Sequence, residues 1–148
     1  MAGSSTLIPK RTARVVAVQF LYQMQITCAE TFSNEDVNEF IETYVNDEID
    51  IKFFKKLIAD FQQLTNFEEI ISNTLKDGKD ISNSPPVEIC IIKTALIEMI
   101  FEKTDIPVII NEYVEIAKDF VDIKSAKFIN ALLDKISKKI ERRCQKTV

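Results

Sequence analysis

The sequence predicts an all-α fold, a compact bundle of about six to seven helices. Apolar side chains recur at the three- and four-residue spacing of amphipathic helices along most of the chain. Glycine and proline are scarce, with 2 and 4 in 148 residues, whereas sheets joined by tight turns usually need more of both. Apolar residues make up 46% and charged residues 28%, which is typical of one folded domain with an ordinary core.

Three helical segments are predicted in the first half of the chain, after a flexible tail at 1–9. The first has an apolar stripe that runs from Ala13 to Met24. The second can be capped by Ser33, whose hydroxyl can accept a hydrogen bond from an unpaired backbone N–H group. The third is rich in Phe, which we expect in the core rather than at a ligand. The predicted ranges are 11–28, about 34–46 and about 50–76.

Three more helices are predicted after the segment 76–86, which combines Gly78 with a proline pair. We interpret this segment as the connection between an N-terminal subdomain at about 10–78 and a C-terminal subdomain at about 85–142. Both subdomains belong to a single domain at 10–148. The fourth predicted helix covers about 86–102. The fifth follows a cap at Asp105, and the sixth begins near Lys124.

These last three helices differ in how their apolar residues are distributed. The fourth is apolar over much of its circumference, so we expect it to be buried between the others. The fifth and sixth each show one apolar line. The lines comprise Ile110, Val114, Ala117 and Val121 in the fifth helix, and Ile129, Leu132, Leu133, Ile136 and Ile140 in the sixth.

Composition argues against a catalytic site, a metal site or a bound cofactor. The sequence has no histidine, which excludes a Ser-His-Asp triad, a Cys-His dyad and a His-containing zinc site. Gly3 and Gly78 are its only glycines, so it has no glycine-rich phosphate loop. Cys28, Cys90 and Cys144 are odd in number and far apart, which argues against a disulfide framework. An enzyme built on a pair among the 23 acidic residues is the remaining catalytic alternative.

Neither a signal peptide nor a membrane span is evident, so we expect a cytoplasmic protein with no membrane partner. The N-terminal residues lack the apolar core of a signal peptide. No stretch approaches the ~20 apolar residues that a membrane-spanning helix needs.

Charge is distributed unevenly, although the net charge is only −4. Residues 1–30 carry a net charge of +2, and residues 124–148 hold 8 basic and 2 acidic side chains. Residues 31–123 hold 8 basic and 20 acidic side chains. Basic ends that meet in the fold could bind phosphate, and the acidic middle could face a basic protein. Solvated helix faces with no binding role are the alternative explanation.

Two groups of side chains combine aromatic rings with cations away from the apolar stripes. At about 100° per residue, Arg11 and Tyr22 lie almost in line, and Arg14 lies within about 80° of Tyr22 on the same outer surface. Phe128 lies at the edge of the last apolar stripe, and such rings can stack on bases while cations hold phosphate. A half-buried tyrosine and a core-edge phenylalanine covered by lysine stems are the structural alternatives. The cations in line with Phe128 are Lys124, Lys135, Lys139 and Arg142.

Four segments make the sequence resemble the NusB family. The first is an arginine-rich opening that runs into a helix with a Gln-x-Leu-Tyr pattern, and the second contains an Asp-x-x-Phe-Phe pattern. The strongest matches are an Asn-Glu motif that leads to Ala-Lys, and a Lys-Phe-x-Asn motif that leads to Leu-Asp-Lys. The segments are KRTARVVAVQFLYQMQI at 10–26, DIKFF within 48–58, DIPVIINEYVEIAKDF at 105–120 and SAKFINALLDKI at 125–136.

The resemblance implies an all-α protein of two helical subdomains that catalyses no reaction and needs no cofactor. It also implies that the protein forms a complex with the small ribosomal subunit protein NusE. That pair would bind boxA-type single-stranded RNA in nascent transcripts, within the RNA polymerase antitermination complex, and support ribosomal RNA synthesis. Asn111 and Glu112 would bond between helices, and Glu88 would meet the basic partner protein. The implied RNA-binding residues are Lys10, Arg11, Arg14, Tyr22, Lys124, Lys127 and Phe128.

Some residues depart from the family pattern. Lys10 replaces a usual arginine, which loses bidentate phosphate geometry but keeps the charge. Lys124 replaces a common acid, which should raise affinity for RNA. Ala126 and Ala131 stand where His and Gly are common, and Ala131 would tighten the backbone approach there. A protein-interaction module or homodimer with an unused RNA surface is the main alternative. The NusB-like domain of RNA methyltransferases is disfavoured, because the sequence has no glycine-rich cofactor loop.

Overall fold

The computed structural model describes the backbone of residues 2–45, 48–75 and 81–140, with side chains from Pro9 onward except Ser82. This part of the chain contains seven α-helices, one short 3-10 turn and no strand, which confirms the all-α prediction. Contacts divide the chain into two compact units, Met1–Ala59 and Asp60–Val148. The helices are α1 (Ala2–Ile26), α2 (Asn34–Tyr44), α3 (Ile51–Gln63), α4 (Phe67–Thr74), α5 (Pro86–Phe101), α6 (Ile106–Phe120) and α7 (Ile123–Ser137), with the turn at Ile81–Asn83.

Two helix boundaries differ from the sequence prediction. α1 begins at Ala2, so the backbone expected to form a flexible tail is helical. The predicted long helix at 50–76 is two helices, α3 and α4, separated by residues 64–66. Thr65 and Asn66 are poor helix formers, and Asn66 takes the N-cap position of α4 with φ −109°. The division between the units falls within α3, whereas the sequence suggested the segment near Gly78.

The first unit is organised around Phe20 of α1. Its ring lies edge-on to three other rings, with centroid distances of 5.0 Å to Phe32, 5.2 Å to Phe40 and 6.1 Å to Phe54. Because these rings come from the α1–α2 loop, α2 and α3, one side chain joins every element of the unit. Edge-to-face geometry aligns the positive ring edge with the negative ring face, which adds to the apolar burial.

The loop between α1 and α2 is held by backbone hydrogen bonds at both ends. Cys28 adopts the left-handed conformation at φ 58°, and its N–H donates to Gln25 O at 3.2 Å. The Ala29 N–H donates to Met24 O at 2.9 Å, which completes the paired ending known as the Schellman motif. Ser33 caps α2 as predicted, and the Asp36 carboxylate accepts from the Ser33 N–H at 2.8 Å. The loop is therefore a defined connection.

The second unit is built around α5. α6 and α7 pack against α5 and against each other, and α4 packs against α7. α5 is buried along most of its length, as its all-round apolar pattern predicted. Its buried carboxylate at Glu98 accepts a hydrogen bond of 2.8 Å from the Tyr113 hydroxyl of α6, which satisfies two polar groups in the core.

The core face of α6 is rotated relative to the predicted apolar line. Ile109, Tyr113 and Ile116 are buried, whereas the predicted Ile110 and Val114 are half-buried. Apolar residues surround much of this helix, so periodicity alone did not select the face that packs on α5. Glu112 is buried, so it lies where a bond between helices was expected. Asn111 is exposed and does not. The core face of α7 is confirmed by buried Ile129, Leu132, Leu133 and Ile136.

Among the described residues, no helix combines the length and apolar character required to cross a membrane.

Candidate nucleic-acid interface

α1 presents one group of the predicted RNA-binding residues. Arg11 is exposed, and Lys10 and Tyr22 are half-buried. Arg11 and Tyr22 differ by only about 20° in helical phase and by about 16 Å along the axis, so they share one face three turns apart. The Lys10 Nζ atom lies 5.1 Å from the centroid of the Phe53 ring, a distance suited to a cation–π contact. We call Lys10, Arg11 and Tyr22 the α1 cluster.

Arg14 does not lie on the outer surface where the sequence placed it. Only 3% of its surface is exposed, and its guanidinium carbon lies 5.3 Å from the Phe53 centroid. Arg14 therefore packs inside the first unit against a ring of α3. Helical phase places a side chain around the axis, but the neighbouring helix decides whether that side is covered.

α7 presents the second group near its N-terminal end. Lys124 and Lys127 are exposed, and Phe128 is half-buried. Lys124 and Phe128 are four residues apart, so their side chains lie beside each other on one face of the helix. The arrangement puts two cations next to a partly exposed ring. We call Lys124, Lys127 and Phe128 the α7 cluster.

The first turn of α7 is fixed by contacts that the sequence analysis did not identify. Asp122 is the N-cap, and its Oδ1 atom accepts from the Ser125 N–H at 2.7 Å. The Ser125 hydroxyl donates to Glu88 Oε2 of α5 at 2.7 Å. These two hydrogen bonds anchor the turn that carries the α7 cluster. Asp122, directly before the apolar pattern of α7, is an N-cap signal that sequence reading could have found.

Glu88 is buried rather than solvated. Only 6% of its surface is exposed, and its carboxylate accepts the Ser125 hydrogen bond. Since it lies in the first turn of α5, its negative charge also interacts favourably with the positive end of the helix dipole. We expected Glu88 to be exposed to solvent, where it could meet a partner protein. Its carboxylate instead forms an internal contact between α5 and α7.

Other cations near the C-terminal end of α7 lie away from its first turn. Lys135 and Lys139 are exposed, and the Lys139 Nζ atom lies 3.5 Å from Asn73 O of α4. Lys138 forms an ion pair with Asp134 at 3.2 Å. Arg142, the fourth cation expected near Phe128, lies outside the described residues.

The two clusters belong to different units, the α1 cluster to Met1–Ala59 and the α7 cluster to Asp60–Val148. The α1 cluster combines exposed Arg11 and half-buried Lys10 with a half-buried ring, and the α7 cluster combines two exposed lysines with a half-buried ring. A ring of this kind can stack on an unpaired base, and cations beside it can hold the phosphate groups.

Two of the three cysteines lie among the described residues. Cys28 is exposed, Cys90 is buried, and neither forms a disulfide among the described residues. Burial raises the pKa of the Cys90 thiol to about 11, although nearby Lys93 acts in the opposite direction. Cys144 lies outside the described residues. Across 2–45, 48–75 and 81–140, no group of three or more Cys, Asp or Glu side chains could hold a metal ion.

Comparison with known proteins gives consistent results. The family model described as NusB family matches residues 11–138. The transcription antitermination protein NusB of Histophilus somni (strain 2336) is 37% identical over 142 residues, covering 91% of this chain and 94% of that protein. The NusB protein of Rickettsia bellii (strain OSU 85-389) is 31% identical over 157 residues, covering 95% and 97%.

A solved structure shows the same fold. A chain in the crystal structure of a plectonemic RNA supercoil superposes with a TM-score of 0.74 and is 27% identical in sequence. The match covers 86% of this chain and 93% of that one.

Fold and relatives together define an all-α protein of the transcription antitermination class. The chain belongs to the NusB family.

Proposed function

We propose that this protein, together with the small ribosomal subunit protein NusE, binds boxA-type single-stranded RNA in nascent transcripts. It acts in the cytoplasm, within the RNA polymerase antitermination complex, and supports transcription of ribosomal RNA. The observation that carries the proposal is the exposed pair of cations beside Phe128 at the anchored start of α7, in a chain of the NusB family.

The α7 cluster is suited to an anion because of its place on the helix. The N-terminal end of a helix carries a partial positive charge, which attracts phosphate, although the Asp122 carboxylate already caps the Ser125 N–H at this end. Lys124 in the first turn and Lys127 in the second add full charges there, although cations at this end do not stabilise the helix itself. Phe128 then supplies the face on which a base can stack.

The α1 cluster supplies a second set of contacts in this proposal. Arg11 binds phosphate, Tyr22 contacts a base and Lys10 adds positive charge. Arg14 contributes by packing on Phe53, close to Lys10, rather than from the surface. Cations give affinity that does not depend on sequence, and base contacts give the preference for boxA.

The experiment is a titration of labelled boxA-type RNA and a scrambled control, followed by fluorescence anisotropy, with and without NusE. We expect tighter binding to boxA and a further gain when NusE is present. Equal, weak binding to both RNAs that NusE does not change would contradict the proposal.

A homodimer is the second candidate, and one observation favours it. Phe120 is 48% exposed and Ile123 is 64% exposed, two apolar side chains close in sequence to Lys124. Self-association through them would cover apolar surface and hide part of the α7 cluster. Sedimentation equilibrium of wild type and Ile123→Ser, each with and without RNA, separates the two candidates. Dimers that dissociate on RNA binding in the wild type, and are absent in the variant, would support this second candidate.

A further inference from the structure

The first unit contains a groove that the proposed RNA contacts do not use. It lies between the C-terminal end of α1, the following loop and α2, and its volume is about 360 Å³. This is within the size range of sites that bind small molecules or side chains. The groove is on the face of α1 that carries Phe20, which is opposite to Tyr22 by helical phase.

The floor of the groove is aromatic and apolar. The Phe20 ring lies edge-on to the rings of Phe32 and Phe40, and Met24 also lines the groove. Tyr44 stands at the groove with 58% of its surface exposed, and its ring lies 4.9 Å from that of Phe40. Exposed aromatic surface around a concave site is typical of places where a partner inserts an anchor side chain.

The rim of the groove is acidic. Asp36 and Glu39 of α2 line it, and both are exposed. Between Arg14 and Lys52 the chain has eight acidic side chains and no basic one. The last turn of α1, which borders the groove, has no basic side chain that would offset this negative charge.

This combination of shape and charge selects one kind of occupant. RNA phosphate and anionic lipid are repelled by the acidic rim. A basic protein segment is attracted, because its Lys or Arg side chains can pair with Asp36 and Glu39 while an apolar side chain enters the aromatic floor. We propose that the groove between α1 and α2 binds a basic peptide segment of another protein, with one Leu, Phe or Trp as its anchor.

The loop that forms one wall is held in shape before any binding. The Schellman hydrogen bonds of Cys28 and Ala29 fix its start, and the reciprocal Ser33–Asp36 cap fixes its end. A preformed site loses little conformational entropy when a ligand binds. The groove is therefore a preformed docking surface, on a different face of α1 from Tyr22.

The test uses the full chain and short labelled peptides that combine one Leu, Phe or Trp with flanking Arg and Lys. In the matched control peptides, Glu replaces every basic residue. We expect the basic peptides to bind and the acidic ones not to bind. Backbone amide shifts in the NMR spectrum should change at Met24, Thr27 and Thr43, which line the groove.

Two substitutions on α2 with the same charge change locate the site. Glu39→Lys reverses a charge on the rim and should weaken peptide binding at least about fivefold. Glu42 lies on the same helix and is also exposed, but it does not line the groove. The peptide affinity of Glu42→Lys should therefore stay closer to that of wild type. Thr43→Trp fills the groove and should reduce binding with no change in charge. Thermal unfolding of each variant is the control that tests whether the fold is retained.

Three outcomes would overturn the proposal. The first is that no peptide binds. The second is that Glu39→Lys and Glu42→Lys have equal effects. The third is that the wild type self-associates and Glu39→Lys abolishes this, since the occupant would then be a second copy of the chain. RNA binding by wild type is measured separately, so failure here leaves the antitermination proposal standing.

Discussion

At the scale of the residue, Phe128 and Tyr22 are the side chains most directly tied to base contact. Both residues are half-buried, so part of each side chain is accessible to a base. We expect Phe128→Ala and Tyr22→Ala each to weaken boxA binding by about 1–3 kcal/mol while the protein stays folded. Fluorescence anisotropy measures affinity, and circular dichroism confirms the fold. Affinities equal to wild type in both variants would show that the rings serve only packing.

Arg14 and Arg11 form a matched pair on the same helix, one buried and one exposed. Arg14→Met removes a buried cation beside the Phe53 ring, so we expect the free energy of unfolding to fall by about 1–2 kcal/mol. Arg11→Met should change it by less than about 0.5 kcal/mol, yet weaken RNA binding. Urea denaturation and anisotropy report the two quantities. If Arg14→Met had unchanged stability and weakened RNA binding, the result would support the direct RNA contact that the sequence predicted.

At the scale of the element, the Glu88–Ser125 hydrogen bond joins the first turns of α5 and α7. Ser125→Ala leaves a buried carboxylate without this donor, so we expect the free energy of unfolding to fall by about 1–3 kcal/mol. Glu88→Gln keeps an oxygen that can accept the bond and should cost less. Urea denaturation measures both. An equal, negligible effect of the two substitutions would mean that the contact does not hold α7.

A partner contact at Glu88 is still a prediction from the family resemblance, and the same variants test it. Since the carboxylate is buried, Glu88→Gln should leave NusE binding close to that of wild type. A loss of NusE binding in a variant of normal stability would show that Glu88 meets the partner directly.

At the scale of the whole molecule, a chain of net charge −4 binds a polyanion in our proposal, so local cations must carry the affinity. Binding should weaken as salt rises, and Lys127→Gln should reduce the slope of log affinity against log salt by about 0.7. Lys138→Gln at the C-cap of α7 is the control, because Lys138 is paired with Asp134 and lies outside the α7 cluster. Its slope should match that of wild type. The same loss of slope in both variants would indicate diffuse attraction rather than a defined contact.

Much of the fold was predictable from local pattern. Helix identity, the Ser33 cap, the buried α5 and the core face of α7 follow from periodicity and capping chemistry, which neighbouring residues determine. The break between α3 and α4 was missed because apolar spacing continues through Thr65 and Asn66, although both favour a helix end. The exposure of Arg11, Lys124 and Lys127 also agrees with the pattern.

The sequence by itself determined the all-α class, the basic ends and acidic middle, and membership of a family whose motifs lie in order along the chain. Tertiary structure decided which sides of the helices are covered. It placed Arg14 beneath Phe53, buried Glu88 against Ser125, turned Tyr113 of α6 into the core and opened the groove between α1 and α2. Each of these depends on side chains that are distant in sequence and meet only when the helices pack. Helical phase predicts the direction in which a side chain leaves its helix. Whether that side chain is buried depends on which other helix packs there.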